Sequence, residues 1–484
     1  MPKEDTTGIT VKKTSDMPEW YGQVITKSQL ADYAPVKGCM VIRPYGYEIW
    51  EKIMDYFNSV IKKHGVKNAY FPMFIPESFF NKEAEHAHGF EPEVAWISNK
   101  DEKNKDENQQ ERLALRPTSE TIIYDSYSRW IRSWRDLPLK INQWCNIVRW
   151  EVSDVKLFVR SREFLWQEGH CVYETEEECD KETLTFLNEY KKLCEELLAV
   201  PVLIGKKTEK EKFAGAKYTT TIEAFMPDGK ALQCGTSHNL GQGFAKAFNI
   251  SYLGKDGGKN LPWQSSWGFS TRLIGALVMV HSDDKGLVLP PNIAPTEIVI
   301  VPIFKDENKA MVLEKAHDIK SKLRGHSVIL DDREGYTPGW KFNEWEMKGI
   351  PLRIEIGPKD IANSQAVLAR RDTGEKKIVK LDNIFEEAKE TLIDIQKSLY
   401  NKAKNFLDSS IKRANSWNEF RKIADNKQIA LADFCGEISC EEDIKAETGG
   451  VTSRCIPFEQ PDSIGKCVHC GKEGKHAVYF AKCY

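Results

Sequence analysis

A chain of 484 residues exceeds what one ordinary core organises, so two or three domains are expected. With 41% hydrophobic and 29% charged residues it reads as globular and not disordered, and no stretch approaches the ~18 consecutive apolar residues of a membrane span. Lys and Arg total 69 against 72 Asp and Glu, a formal charge of −3 that argues against a nonspecific polyanion binder but leaves room for local basic patches.

The polar leader, residues 1–15, lacks the apolar centre of a secretory signal, so a cytoplasmic location with reduced thiols is expected. Apolar residues at Ile49, Trp50, Ile53, Met54, Phe57 and Ile61 predict a helix that opens at Pro44 and closes before Gly65. Residues 69–72 read as a short strand, and residues 99–112, which hold no apolar side chain, as an exposed loop. A strand, a loop and a returning strand are predicted over 141–175, with Arg149 and Glu151 on one strand face. Strand-like runs broken by Gly turns fill 218–240, with a turn at 233–238. Residues 273–280 form a buried helix or a buried strand, which periodicity does not separate. The Pro-rich residues 289–295 read as a linker.

Beyond it, strands at 298–303, 328–330 and 352–356 alternate with helical patterns at Val312, Ala316, Ile319 and Leu323 and at 340–347, which predicts a small α/β domain with parallel neighbours. A hairpin follows over 366–372 and 377–381, then a long charged helix through Leu392, Ile395, Leu399 and Phe406. The expected divisions are 1–288, 289–400 and 401–484.

Four segments carry chemistry. In Val148-Arg149-Trp150-Glu151, a guanidinium can fork onto a phosphate or carboxylate; Arg160, from the following loop, can close over a polyphosphate, and Phe164 offers a flat face to a base. The plain reading of the triplet alone is a solvated cross-strand ion pair. Arg116-Pro117-Thr118-Ser119-Glu120 sets a hydroxyl and a carboxylate two residues apart, suited to an ammonium group or to a helix capping box. The segment 233–238 brings Gln233, Thr236 and His238 beside Gly235, where a ligand can approach the backbone. Finally, Ser270 and Arg272 precede the apolar run at 273–280.

As a set these segments resemble the prolyl group of class II aminoacyl-tRNA synthetases, in its eukaryotic and archaeal form, over almost the whole chain. Residues 148–151 resemble the second signature motif of that class and 268–280 the third. The helix from Tyr45 and the stretch ending at Pro72 resemble the first, which implies a homodimer. Thr271 stands before Arg272 where the class usually has Glu, and Ser270 where the family often has Thr. The resemblance implies an α+β catalytic domain, an antiparallel sheet flanked by helices, followed by an anticodon-binding α/β domain. It implies activation of L-proline with ATP and Mg²⁺, then transfer to the 3′ end of tRNA(Pro). By this match Arg149 holds the α-phosphate and the proline carboxylate, and Arg160 and Arg272 hold the distal phosphates. Phe164 stacks on adenine, with Glu151, Ser161, Gln233, Thr236 and Ser270 around the nucleotide. Thr118, Glu120 and His238 hold proline, and Phe90, Glu93 and Trp166 wall its ring. Only about 85 residues separate Thr175 from Trp263, which leaves no room for the editing module that bacterial-type relatives carry there.

The tail holds six of the 12 cysteines. Cys435-x₄-Cys440 and Cys467-x₂-Cys470 suit a closed tetrahedral zinc site that stabilises and does not catalyse; the alternative is a set of reduced thiols in a small core. Cys455, His469 and Cys483 are possible substitute ligands. In the 289–400 unit, Lys341, Arg353, Lys359, Arg370 and Arg371 offer charge to tRNA phosphates or form a solvated face.

Overall fold

The helices α1 (Met17–Lys27) and α2 (Pro44–Lys63) lie behind a large antiparallel sheet in the computed structural model, which describes residues 8–80, 93–98 and 111–484. Proline at the start of α2 fixes its first turn, and Ile49, Trp50, Ile53, Phe57, Val60 and Ile61 form its buried stripe, as the spacing predicts. The strands of this sheet are β1 (Lys67–Asn68), β2 (Leu139–Val148), β3 (Glu163–Tyr173), β4 (Leu203–Lys206), β5 (Tyr218–Phe225), β6 (Lys230–Gly241) and β7 (Trp263–Ser270). Their order is β4-β5-β6-β7-β3-β2-β1, antiparallel except for the β1–β2 pair. Helices α3 (Glu120–Trp130), α4 (Glu176–Lys192) and α5 (Arg272–His281) flank the sheet.

Aromatic packing fixes the rear face. The Phe57 ring lies 5.0–6.5 Å from those of Trp144, Phe186, Tyr190, Trp267 and Phe269, and Phe186 stacks on Trp267 at 3.8 Å. Gly169 makes this possible: a Cβ there would sit 2.2 Å from the Trp267 indole.

Four local expectations change. Residues 69–72 lie past β1: the Ala69 N–H donates to Asn142 O at 2.8 Å, but the Phe71 N–H turns to the Gln143 side chain at 2.5 Å and Pro72 donates nothing, so the β1–β2 pairing stops after two residues. Residues 233–238 belong to β6, and Gly235 marks a bulge, not a turn. Strand β2 stops at Val148, so Arg149 and Glu151 sit in the ensuing turn and not on a strand face. Residues 289–295 are a packed connector: Leu289, Ile293 and Ala294 are buried, and Leu289 N–H donates to Gly349 O. Residues 273–280, ambiguous in sequence, are helical within α5. Residues 99–110 of the expected loop lie outside the described residues.

The next unit is a five-stranded sheet of β8 (Ile298–Pro302), β9 (Val328–Leu330), β10 (Leu352–Ile356), β11 (Gln365–Arg370) and β12 (Lys376–Lys380), ordered β9-β8-β10-β11-β12. The first two pairings are parallel and the last two antiparallel, matching the predicted α/β unit and hairpin. Helices α6 (Lys309–Lys322) and α7 (Pro338–Met347) cover it, and the 27-residue α8 (Ile384–Ser410) runs on into the tail. There, β13 (Ile411–Ala414), β14 (Ile429–Phe434), β15 (Val451–Pro457) and β16 (His476–Cys483) join helices α9 (Trp417–Asp425) and α10 (Ile438–Glu447). This tail does not stand apart. Strand β15 pairs with β4 and β16 with β6, so one sheet of 11 strands spans both regions.

Candidate active site

A cavity of about 270 Å³ opens on the front face of the large antiparallel sheet. From β3 it takes Phe164, Trp166, Glu168 and His170, alternate residues that share one strand face. Ser266, Gly268 and Ser270 arrive from β7 by the same period. On β6 the period is broken, since Gln233, Thr236 and His238 all face the cavity. The bulge between Gln233 and Gly235 absorbs the extra residue and returns the strand to phase.

Thr118 and Glu120 enter from the start of α3, with the Thr118 hydroxyl donating to the Glu120 carboxylate. The capping box does not form: Ser119 begins the helix without a side-chain cap and instead accepts from Gln143 Nε2 at 3.2 Å. That leaves the Thr118–Glu120 pair facing the cavity. Beside it, His238 Nδ1 lies 2.9 Å from Thr219 Oγ1, and burial with the nearby His170 pushes its pKa down to about 3. His238 is therefore a neutral donor–acceptor at ordinary pH. His170 differs: burial opposes its charge, but the hydrogen bond and charge of Glu168, 3.0 Å away, raise its pKa. Burial likewise opposes the Glu168 carboxylate, and the His170 bond outweighs it.

A second lobe of about 320 Å³ shares Arg149, Phe164, Ser270 and Arg272 with the first and adds Glu151, Arg160, Ser161 and Tyr484. Arg149 is exposed to the water of the cleft, and the protein packed around it lowers its pKa by desolvation against the pull of Glu151, Glu120 and Glu168. Desolvation lowers that of Arg272 too, and Arg149 and Arg160 add repulsion. Arg272 is held by donation from Nε to Val159 O at 3.1 Å and from Nη1 to Gln233 O at 3.2 Å. Among the described residues the Arg149 guanidinium forms no ion pair; its carbon sits 5.6 Å from the Phe164 ring centre. Three guanidinium groups from three stretches of chain thus line one cleft, an arrangement that favours an anion between them.

Three families match the chain: tRNA synthetase class II core domain (G, H, P, S and T) over residues 101–281, anticodon binding domain over 297–391, and prolyl-tRNA synthetase, C-terminal, over 417–484. The proline--tRNA ligase of Alkaliphilus oremlandii (strain OhILAs) is 54% identical over 471 residues, 97% of this chain and 96% of its own. The chain belongs to the proline--tRNA ligase family. Proline--tRNA ligase 2 of Bacillus thuringiensis subsp. konkukian (strain 97-27) is 50% identical over 485 residues, all of both chains, and that of Clostridioides difficile (strain 630) 51% over 476, 98% of this chain and 97% of its own.

Against the site expected for a proline--tRNA ligase, the structure brings together Thr118, Glu120, Arg149, Glu151, Arg160, Ser161, Phe164, Trp166, Gln233, Thr236, His238, Ser270 and Arg272 in the two lobes. Glu93 stands outside them, its carbonyl accepting the Trp150 N–H at 3.3 Å. Phe90 lies outside the described residues. Glu168 and His170 were not anticipated, although the period of two from Phe164 and Trp166 points directly to them. Tyr484 had no local signal. Its hydroxyl donates to Asp228 Oδ2 at 2.6 Å and Lys156 Nζ lies 3.9 Å from its ring centre, which fixes the last residue against the second lobe.

The tail of this chain carries the expected thiol cluster. The sulfurs of Cys435, Cys440, Cys467 and Cys470 lie within 4.8 Å of one another, with Cys440–Cys467 at 3.8 Å and Cys470–Cys435 at 3.7 Å. Those separations fit zinc, since a tetrahedron with Zn–S bonds of ~2.3 Å has edges of about 3.8 Å. Burial pushes the Cys440 thiol pKa up, a penalty that a bound cation would remove. Of the substitute ligands, Cys455 is buried near Glu223 and Cys483 contacts Thr452; neither is in the cluster, whereas His469 Nδ1 is 3.3 Å from Cys440 Sγ and its Nε2 3.1 Å from Glu447.

Proposed function

We propose that this chain activates L-proline with ATP, as its Mg²⁺ complex, to prolyl-adenylate and pyrophosphate, and then transfers proline to the 3′ end of tRNA(Pro). Glu120 and the Thr118 hydroxyl receive the secondary ammonium, while neutral His238 contributes hydrogen bonding without repulsion. Trp166 walls the ring. Arg149 lines both lobes, so one guanidinium can hold the attacking carboxylate and the α-phosphate together. Charge builds on the phosphoryl oxygens as pyrophosphate leaves, and Arg149, Arg160 and Arg272 stabilise it without acting as nucleophile or base. Phe164 stacks on adenine. Glu151, Ser161, Gln233, Thr236 and Ser270 complete the nucleotide's surroundings. The convergence of the three arginines beside the Thr118–Glu120 pair is the observation that carries this reading.

Amino-acid-dependent ATP–pyrophosphate exchange tests it: proline should support exchange and the other amino acids should not. Exchange without proline dependence, or none, overturns it. A structural Zn²⁺ on Cys435, Cys440, Cys467 and Cys470 is part of the proposal, checked by metal analysis of the same sample with one zinc expected per chain. A homodimer is supported by the apolar side chains of Tyr33, Val36, Val41 and Tyr47, all more than 40% exposed around the start of α2; sedimentation should give twice the chain mass. A cytoplasmic location is supported by 12 free thiols. No described helix is long and apolar enough to cross a membrane.

A further inference from the structure

One wall of the first lobe comes from the turn between β4 and β5, which brings Glu211 and Phe213 to the cavity. The Phe213 ring centre is 5.0 Å from that of His238, and its N–H donates to the Thr219 hydroxyl that also meets His238. Thr208 pins this turn. Its carbonyl accepts the N–H groups of Glu211 at 3.2 Å and Lys212 at 3.0 Å. Its hydroxyl donates to Glu441 Oε2 at 2.9 Å and lies 3.1 Å from Ser453 Oγ, which donates to Glu441 Oε1 at 2.6 Å. All three side chains are buried. Glu441 belongs to α10 and Ser453 to β15, so a carboxylate from the tail receives both hydroxyl protons and sets their direction. Two ion pairs flank the contact: Arg454 with Glu211 at 3.4 Å and Lys210 with Glu442 at 3.5 Å.

We propose that Glu441, Ser453 and Thr208 form a latch by which the tail positions the Glu211–Phe213 wall and so sets the affinity for the amino acid. The three are positioning residues: they touch neither lobe and act through Phe213 and His238. This inference rests on the proposed reading of the cleft as the proline site. It differs from a merely stabilising contact in what it disturbs. Moving the wall alters the pocket for the amino acid and leaves the arginine lobe unchanged.

The test uses the full-length, zinc-loaded enzyme carrying Thr208→Val, Thr208→Ser or Glu441→Gln singly, or Thr208→Val and Glu441→Gln together, in pyrophosphate exchange with proline and ATP varied separately. Thr208→Val and Glu441→Gln should each raise KM for proline about tenfold, with kcat and KM for ATP changed by less than about twofold. The double variant should be no worse than the worse single one, and Thr208→Ser, which keeps the hydroxyl, should retain the wild-type KM. An unchanged KM for proline in Thr208→Val, a parallel fall in kcat, or additive singles would overturn the latch. Wild-type enzyme without proline-dependent exchange overturns the reading of the cleft instead. Should Glu441→Gln fail to fold, Thr208→Val and Thr208→Ser decide alone.

Discussion

The arginines of the two-lobed cleft and the basic residues of the five-stranded sheet are the same kind of cationic group in opposite electrostatic settings. Arg149 and Arg272 repel one another, with Arg160 adding to the strain on Arg272. In the sheet, Arg353 donates to Glu355 at 2.9 Å, Arg370 to Asp372 at 2.8 Å, Arg371 to both oxygens of Asp283 at 2.6 and 2.7 Å, and Lys341 to Asp331 O at 2.9 Å. The expectation that these four meet tRNA phosphates, or form a solvated face, is thus corrected: Lys341, Arg353 and Arg371 are buried, and each of the four is committed to a partner within the chain. Lys359 alone of that group is exposed. A guanidinium that lines a cleft without an acidic partner marks a ligand site, whereas one paired with a carboxylate marks structure.

The sharpest way to break that contrast is Arg149→Ala, which should lower kcat for exchange at least 100- to 1000-fold, as loss of a donor at developing charge does. Its melting temperature should hold or rise, because a repulsive neighbour of Arg272 has gone. Arg353→Ala should do the reverse. It leaves buried Glu355 with Lys376, 2.9 Å away, as its remaining partner and costs about 2 kcal/mol of stability by denaturant titration, with exchange kinetics unchanged. A smaller loss, about 1 kcal/mol, is expected for Arg371→Ala, since its partner Asp283 is 44% exposed and water takes up the freed carboxylate.

The smallest effect concerns the His170–Glu168 pair, where charge is matched inside the cleft itself. The folded pKa of His170 lies above 6.5, so its stabilisation is complete below that value and is lost as pH rises through the folded value. The folded pKa of Glu168 lies below 4.5, so its contribution is present above 4.5 and lost as pH falls through the folded value. Both act between about pH 4.5 and 6.5. Melting temperature should therefore slip as pH is taken from about 6 to about 9, and His170→Gln should flatten that part of the profile.

How much of this was legible depends on the range of the cause. The strands Val328–Leu330 and Leu352–Ile356 fall where their apolar runs predict, because alternation and burial are local. Thr118, Arg149, His238 and Arg272 stand out as polar residues beside Gly, Pro or strand ends, and the fold gathers them. The bulge at Gly235 was hidden, since nothing in Gln-Cys-Gly-Thr separates a bulge from a turn until β5 supplies the register. The pairing of Arg371 with Asp283 and the placement of Tyr484 were equally out of reach, as each joins residues far apart in the chain.

Because Pro457 and Ile456 of β15 hydrogen-bond along β4, and Lys482 and Cys483 of β16 along Lys230 and Ala231, the tail closes two strand borders of the catalytic sheet. A truncation before β13 would not release a tidy catalytic fragment. It would bare the backbone of β4 and the start of β6 as sticky margins, and such a fragment is expected to aggregate by strand addition even with Thr118, Glu120, Arg149, Arg160 and Arg272 all in place.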